Sequence, residues 1–432
     1  MQCTLPNPQL ATPSESIEAA SNPTSQRAVT SSELLAAFAS VADPRRRQGT
    51  RFKLPAILAL ATVAILSNHL SVLAIAEWGV GQGHTLLESL GFANGVTPHQ
   101  STLQRLFCKL NPDALSIALS AYFGRSESAR TKPRPRGSQG VSLDGKAQRG
   151  RLAFDSSGCP VHALAAYLHD NGIVLAQEPI DTQAQIAQTQ VDSDATQSKP
   201  IDKGEAELTV APDLIKRIDW QGRVLTGDAL LCQRNLCELV VNLGGDYLFI
   251  VKANQPTLYE DIRLLFDPPT QCLPLDDCRE ASTVDNGHGR HNDTRHLIAS
   301  TDLVGYTDWP YLAQVFRVQR TWQEGGESKC KIQYGITSLP PPIADARRLL
   351  GFKRGHWQIE NCDHYVKDVT MGEDRSSVHS GNGPSVMAML RDLALSLLHQ
   401  AGVRAIASRL RHNSTNPEAA LALLTSTPDQ NA

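Results

Sequence analysis

The chain has 432 residues, 41% hydrophobic and 20% charged, with a formal net charge of −3. That length suggests two or three domains with a sizeable core, and the composition excludes a largely disordered chain. The near balance of 41 Lys and Arg against 44 Asp and Glu excludes a small, uniformly basic nucleic-acid binder. It does not exclude a DNA-handling enzyme with local basic patches and acids at a metal site.

Residues 1–30, rich in Ser, Thr, Pro, Asn and Gln, read as a disordered tail. Ser31-Ser32-Glu33 opens a helix that Asp43-Pro44 ends. The basic cluster Arg45, Arg46, Arg47, Arg51 and Lys53 follows, then helical patterns over 54–66, 71–79, 84–91, 102–110 and 112–123. Residues 31–124 are thus expected to form an all-helical N-terminal domain. The apolar run 54–66 is shorter than the roughly 20 residues that cross a bilayer, so a buried helix is expected and no membrane association. The basic, Pro- and Gly-containing stretch 125–140 reads as a linker.

Beyond it the pattern changes to an α/β domain over 141–400. GVSLDGKAQ, VHALAAYLHD and GIVLAQEPI read as consecutive strands, and 181–204 as a polar loop. PDLIKRIDW reads as a helix, GRVLTGD as a strand, ALLCQRNLCELVVNLGG as a helix and DYLFIVKAN as a strand. About 256–345 a short helix and three strand-like runs suggest a β-rich insertion. A long helix is expected from Ala344 through Asp368 and another over 384–402, with 401–432 as a tail. The nine cysteines are scattered, with no C-x-x-C spacing, and the first residues lack a signal-peptide pattern. Reduced thiols in a cytoplasmic protein are the expectation, with the pairs Cys232/Cys237 and Cys272/Cys278 structural rather than zinc ligands.

Three acids stand out. Asp144 follows an apolar strand and precedes Gly145, where a carboxylate reaches a cleft or merely starts a turn. Asp228 also closes a strand, and could equally cap the helix expected after it. Two strand-end acids in one α/β domain converge on one cleft. Glu360 shares a helical stripe with Lys353, His356, His364 and Lys367, which is a solvated face or the flank of a site. Three carboxylates from separate segments suit a two-metal phosphoryl-transfer centre, since Mg²⁺ takes oxygen ligands and phosphate oxygens together. Trp357 reads as core, and His288 and His291 as turn residues that could touch DNA.

Several ordered blocks carry a resemblance. DPRRRQGTRFKLPAILALATVAIL, SLDGKAQRG, KGEAELTVAPDLI, LTGDALLCQRNLCELVVNLGGDYLFIVKANQPTLYEDI, RGHWQIENCDHYVKDVTMGEDRS and GNGPSVMAMLRDLALSLL resemble, over about residues 33–400, the DDE transposases of bacterial insertion sequences. The type is the ISAs, H-repeat-associated one. The resemblance implies an RNase H-like catalytic domain with a β-rich insertion between the second Asp and the Glu. It implies Asp144, Asp228 and Glu360 as a metal triad holding two Mg²⁺ ions, with Mn²⁺ able to substitute. Related enzymes carry Y-(2)-R-(3)-E-(6)-K around the Glu. Here Lys367 holds the Lys offset, while Lys353 and His356 replace the Tyr and Arg. GHGRHNDTR, residues 287–295, departs from G-H-G-R-x-E-x-R by one extra residue, with Asp293 near the acidic slot.

The implied activity is metal-dependent cleavage at the element's ends, freeing a 3′-OH, followed by strand transfer into target DNA. Lys367 and His356 are expected at DNA phosphate or the scissile group, with Lys146, Arg149, Lys353 and Arg354 nearby. Arg45, Arg46 and Arg47 are candidates for end recognition, or a solvated basic turn. Arg134 and Arg136 belong to the stretch 125–151, whose eight Lys and Arg face two acids and suit a phosphate backbone. The partner is double-stranded DNA, and joining two ends calls for a homodimer on it. The competing readings are a nuclease that cuts without joining, a silent DNA-binding remnant and a metal-independent structural protein.

Overall fold

The computed structural model describes residues 33–128, 133–147, 162–180, 203–268, 277–287 and 290–425. The tail 1–30, the middle of the linker, Arg149, His288 and most of the loop 181–204 lie outside the described residues.

From Glu33 to Ser128 the described chain is helical, without a strand: α1 (Glu33–Ala39), α2 (Leu54–Leu66), α3 (Val72–Val80), α4 (His84–Ser89), α5 (Gln100–Phe107) and α6 (Pro112–Ser128). Helix α2 has a proline in its first turn, where no donor is lost, and is apolar on every side. Such a helix has no face for water and is packed all round. One stretch, Arg47–Leu66, is apolar and long enough to cross a membrane, and 67% of its apolar window is buried inside the protein.

One mixed sheet organises the rest. Its strands are β1 (Gln139–Ala147), β2 (His162–Leu168), β3 (Val174–Ile180), β4 (Arg223–Gly227), β5 (Asp246–Val251), β6 (Arg279–Gly287), β7 (Arg290–Ser300), β8 (Gln314–Glu324) and β9 (Glu327–Thr337). They lie in the order β3-β2-β1-β4-β5-β9-β8-β7-β6. The pairs β1–β4 and β4–β5 are parallel; the other neighbours run antiparallel. The protein is therefore mixed α/β. The β-rich segment between Asp228 and Glu360 does not stand apart: β9 pairs with β5, so its strands continue the same sheet. The extra residue in GHGRHNDTR is absorbed where β7 advances three residues, His291 to Thr294, against two on β8. That mismatch is a β-bulge. Strand β6 escaped the sequence pattern because it is polar and lies at the sheet's edge.

Both faces of the central strands are covered, which is why β1 and β4 are buried nearly throughout. On one face Val141, Leu143, Leu225, Tyr247 and Phe249 join the main core with α7 (Lys203–Lys216), α8 (Arg234–Asn242) and the N-terminal helices. On the other, Val224 and Leu248 meet Leu349, Leu350 and Phe352 of α10 (Ala346–Gly355). Between them in sequence, α9 (Pro256–Phe266) follows β5.

Three elements depart from the sequence reading. Helix α7 begins at Lys203 and runs through Pro212, which was expected to start it. Of the helix expected over 229–245, only Arg234–Asn242 forms, because the Asp228 carboxylate accepts from the Leu230 and Leu231 amides and holds 228–231 in a turn. The long helix from Ala344 changes pitch. Past Gly355, Ile359–His364 and Val366–Thr370 are π-helical.

The C-terminal residues are not a bare tail. After α11 (Gly383–Gln400) come α12 (Ile406–Thr415) and α13 (Pro417–Thr425), and both pack on α2. Leu410, Leu421 and Leu424 are buried, and Asn413 Nδ2 donates to the Leu66 carbonyl at 3.0 Å. Leu410→Ala is expected to lower unfolding free energy by about 2–5 kcal/mol in urea titration. A loss under about 0.5 kcal/mol would show the C-terminal helices to be dispensable.

Candidate metal centre

The site starts from one register. Ser142 of β1 pairs with Thr226 of the parallel strand β4. Side chains two residues further on each strand return to the same face. Those positions are Asp144 and Asp228, so two carboxylates emerge beside each other on the face that α10 covers. Gly145, between Asp144 and Lys146, is required by close approach. A Cβ there would lie 2.1 Å from Oε1 of buried Glu207 on α7.

The π-helical turns bring the third acid. Glu360 is exposed, and its donor atoms gather with those of Asp144 and His364, all within 4.8 Å of one another. His364 Nδ1 lies 3.5 Å from Asp144 Oδ2 and 3.7 Å from Glu360 Oε2. Asp228 lies outside that tightest group, but its charge reaches Asp144. Burial raises the Asp144 carboxyl to about 6; His364 opposes the rise, and Glu360, Glu207 and Asp228 add to it. A buried carboxyl that resists ionising, with a second carboxylate and an imidazole beside it, suits a divalent cation.

Beneath the acids lies a buried polar layer. Ser142 Oγ is 2.8 Å from His169 Nε2 and donates to the His356 carbonyl at 3.2 Å. Thr226 Oγ1 is 3.1 Å from His169 Nε2 and 3.5 Å from His356 Nδ1. Burial lowers His356 to about 4, with Asp228 opposing it. Expected at the scissile phosphate, His356 is instead a neutral, largely buried group supporting the strand ends.

Lys367 is also turned inward. Only 1% exposed, its Nζ pairs with Asp363 Oδ2 at 2.8 Å and with Asp392 of α11. Lys146 pairs with Asp368 and with Glu373 Oε2 at 3.1 Å, and Arg391 Nη1 lies 3.6 Å from Glu373 Oε1. Buried charges persist only when paired, so these residues form one ionic network behind Glu360. It ties β1, the π-helical segment and α11 together. Both lysines, read as phosphate contacts, are held by carboxylates, all remote in sequence except Asp363, one helical turn from Lys367.

The remaining basic residues divide. Arg134 pairs with Asp219 at 2.7 Å and Arg136 with Asp246 at 2.7 Å, pinning the start of β1. Arg45 donates to Asp43 and to the Phe52 carbonyl, whereas Arg46 and Arg47 are exposed. Lys353 is buried, and burial with the charges of Arg295, Arg320 and Lys331 lowers it to about 8. Arg354 and Arg295 share Asp285, and Arg295 and Arg320 share Asp293. Asp293, displaced by the extra residue, thus still receives arginines. Trp357 is not core; it is 56% exposed, and Tyr365 and Val369 are exposed as well. His364 was within the sequence stripe but not singled out as a ligand.

The transposase DDE domain model matches residues 198–397, and the model of its associated domain matches 35–123. An uncharacterised protein from the dhlA 3′ region of Xanthobacter autotrophicus is 28% identical over 70% of this chain and 92% of its own length. The "Putative transposase YncI" of Escherichia coli O157:H7 is 26% identical over 84% and 86%. The "H repeat-associated putative transposase YhhI" of Escherichia coli K12 is 24% identical over 85% and 90%.

Two outcomes follow from the site. Lys367→Met leaves Asp363 and Asp392 uncompensated and is expected to cost about 3–5 kcal/mol of stability by denaturant titration. Asp144 has a folded-state value raised from 3.8 to about 6. Its ionisation therefore penalises the fold, not at all below about pH 4 and fully above about pH 6. Asp144→Asn, which keeps the acceptor for the Gly145 amide at 3.0 Å, is expected to raise stability in chelator at pH 7.5 by up to about 3 kcal/mol. The gain should vanish near pH 4; an equal gain at both values would contradict the burial of the charge.

Proposed function

The chain belongs to the transposase DDE family, and from that premise we propose that it cuts DNA at the ends of an insertion sequence and joins the freed strand to target DNA. The observation that carries the proposal is the gathering of Asp144, Glu360 and His364 at one point beside the strand-end Asp228. Asp144, Asp228 and Glu360 are the residues that would hold two Mg²⁺ ions, with Mn²⁺ able to substitute. Divalent cations bound there would offset charge on the attacking and leaving oxygens of an in-line phosphodiester displacement.

The protein's own residues do the rest. The register of β1 against β4 sets the spacing of the two aspartates. The ionic network around Lys367 holds the segment bearing Glu360. The neutral layer of Ser142, Thr226, His169 and His356 gives the acids a low-dielectric floor that excludes water. Lys353, Arg354, Arg295, Arg320 and Lys331 outnumber Asp285 and Asp293 beside the helix leading to Glu360. That excess is suited to a DNA backbone. Exposed Arg46 and Arg47 in the helical N-terminal region are proposed to contact the element's end. Order β3-β2-β1-β4-β5, with β1, β4 and β5 parallel, supports an RNase H-like reading of the catalytic sheet. Two ends must meet for joining, so a homodimer on double-stranded DNA is proposed, acting in the bacterial cytoplasm at the nucleoid.

The test is cleavage of a labelled duplex bearing the flanking element's end, with Mg²⁺ or Mn²⁺. Nicks with 3′-OH termini are expected from wild type, reduced at least about a thousandfold in Asp144→Ala, Asp228→Ala and Glu360→Ala while duplex binding persists. Joined products separate transposition from simple cutting. Binding without cleavage by folded wild type would overturn the enzymatic reading.

A further inference from the structure

We propose that His364 is a direct ligand of the cation held by Asp144 and Glu360, making this centre a mixed oxygen–nitrogen site that favours Mn²⁺ over Mg²⁺. The inference rests on the metal-dependent reading above and extends it to the metal's identity.

The ring is 5% exposed, so it is neither a surface histidine nor a freely rotating one. Its Nδ1 is aimed at the gap between the two carboxylates, 3.5 Å from one and 3.7 Å from the other. With all three donor atoms within 4.8 Å of one another, one cation could sit within bonding reach of each. The far nitrogen, Nε2, is buried without a hydrogen-bond partner among the described residues and lies 3.6 Å from Asp363 Oδ2. A carboxylate beside the distal nitrogen of a metal-bound imidazole is the usual outer support. It favours the proton on that nitrogen and leaves the other lone pair for the metal. Asp363 is itself fixed by Lys367 at 2.8 Å, so the support is rigid.

The backbone agrees. Glu360 and His364 are four residues apart on a π-helical turn, wider than an α-turn and frequent at functional sites. The segment thereby presents both groups toward Asp144 while Asp363 and Lys367 stay inside. Chemistry then sets the preference. Mg²⁺ takes oxygen ligands and keeps its water, whereas Mn²⁺ binds more readily to a site that includes imidazole. An all-oxygen triad would give a weaker bias, because the imidazole adds a ligand that Mg²⁺ takes poorly.

The deciding experiment uses the full-length protein without DNA. Mn²⁺ is bound and pulsed electron paramagnetic resonance reads nitrogen modulation from a coordinated imidazole, with ¹⁵N-labelled wild type as the isotopic control. Modulation that changes with the isotope in wild type is expected, persisting in His356→Gln and lost in folded His364→Gln. Calorimetric titration of the same proteins should show the Mn²⁺ over Mg²⁺ affinity ratio falling about 10-fold or more in His364→Gln. Isotope-insensitive spectra in wild type, which need no variant to fold, would overturn the assignment. So would modulation that survives in His364→Gln. If instead Asp144→Ala binds Mn²⁺ as tightly as wild type, the metal centre itself is misplaced and the reading of the triad fails with it.

Discussion

Everything at the centre depends on two parallel strands ending level. Because Ser142 faces Thr226, the next inward positions on β1 and β4 are Asp144 and Asp228. A one-residue slip would send one carboxylate through the sheet, toward Glu207 and the main core. The register is protected from both sides. Apolar Val141, Leu143 and Leu225 fill one face, and the hydrogen-bonded layer of Ser142, Thr226 and His169 fills the other.

The third acid has no strand to place it. Glu360 sits on an irregular helical run that would have little reason to hold one pitch. What fixes it is charge: Lys367, Asp363, Asp392, Glu373, Arg391 and Lys146 are paired where water hardly reaches them, and half-buried Asp368 joins them through Lys146. Moving the segment would break several pairs at once, each at a cost of several kcal/mol. Such a network adds little net stability over a greasy core but admits one arrangement. That is the property a centre needs if it must hold carboxylates at metal-binding distance.

Much of this was legible before the structure. The strands around Asp144 and Asp228 follow apolar runs and end in Asp, a pattern local enough to read. Helix α2 was legible because thirteen residues without a charge allow little else. The fates of Lys146 and Lys367 were not: Asp368 and Glu373 lie more than 220 residues from Lys146 and Asp392 lies 25 from Lys367, and the near partner Asp363, four residues before Lys367, could as well have made a solvated surface pair. The stripe through Glu360 assumed α-helical spacing. In π-helical turns the same residues split, with His364 toward Asp144 and Lys367 inward. Trp357, read as core by its type, is exposed because Ile359 takes the buried side. Strand β6 and helix α12 were missed for lack of long apolar runs, and α13 because its apolar run 419–424 is short and follows a polar stretch.

Helix α2 forms early in synthesis, yet part of its cover comes from α12 and α13 at the other end of the chain. Roughly 340 residues separate Leu66 from Ile406, about 20–70 s of translation at about 5–20 residues per second. For that interval the most apolar segment of the protein is without its final partners. A chain lacking α12 and α13 would leave that flank of α2, apolar all round, open to water.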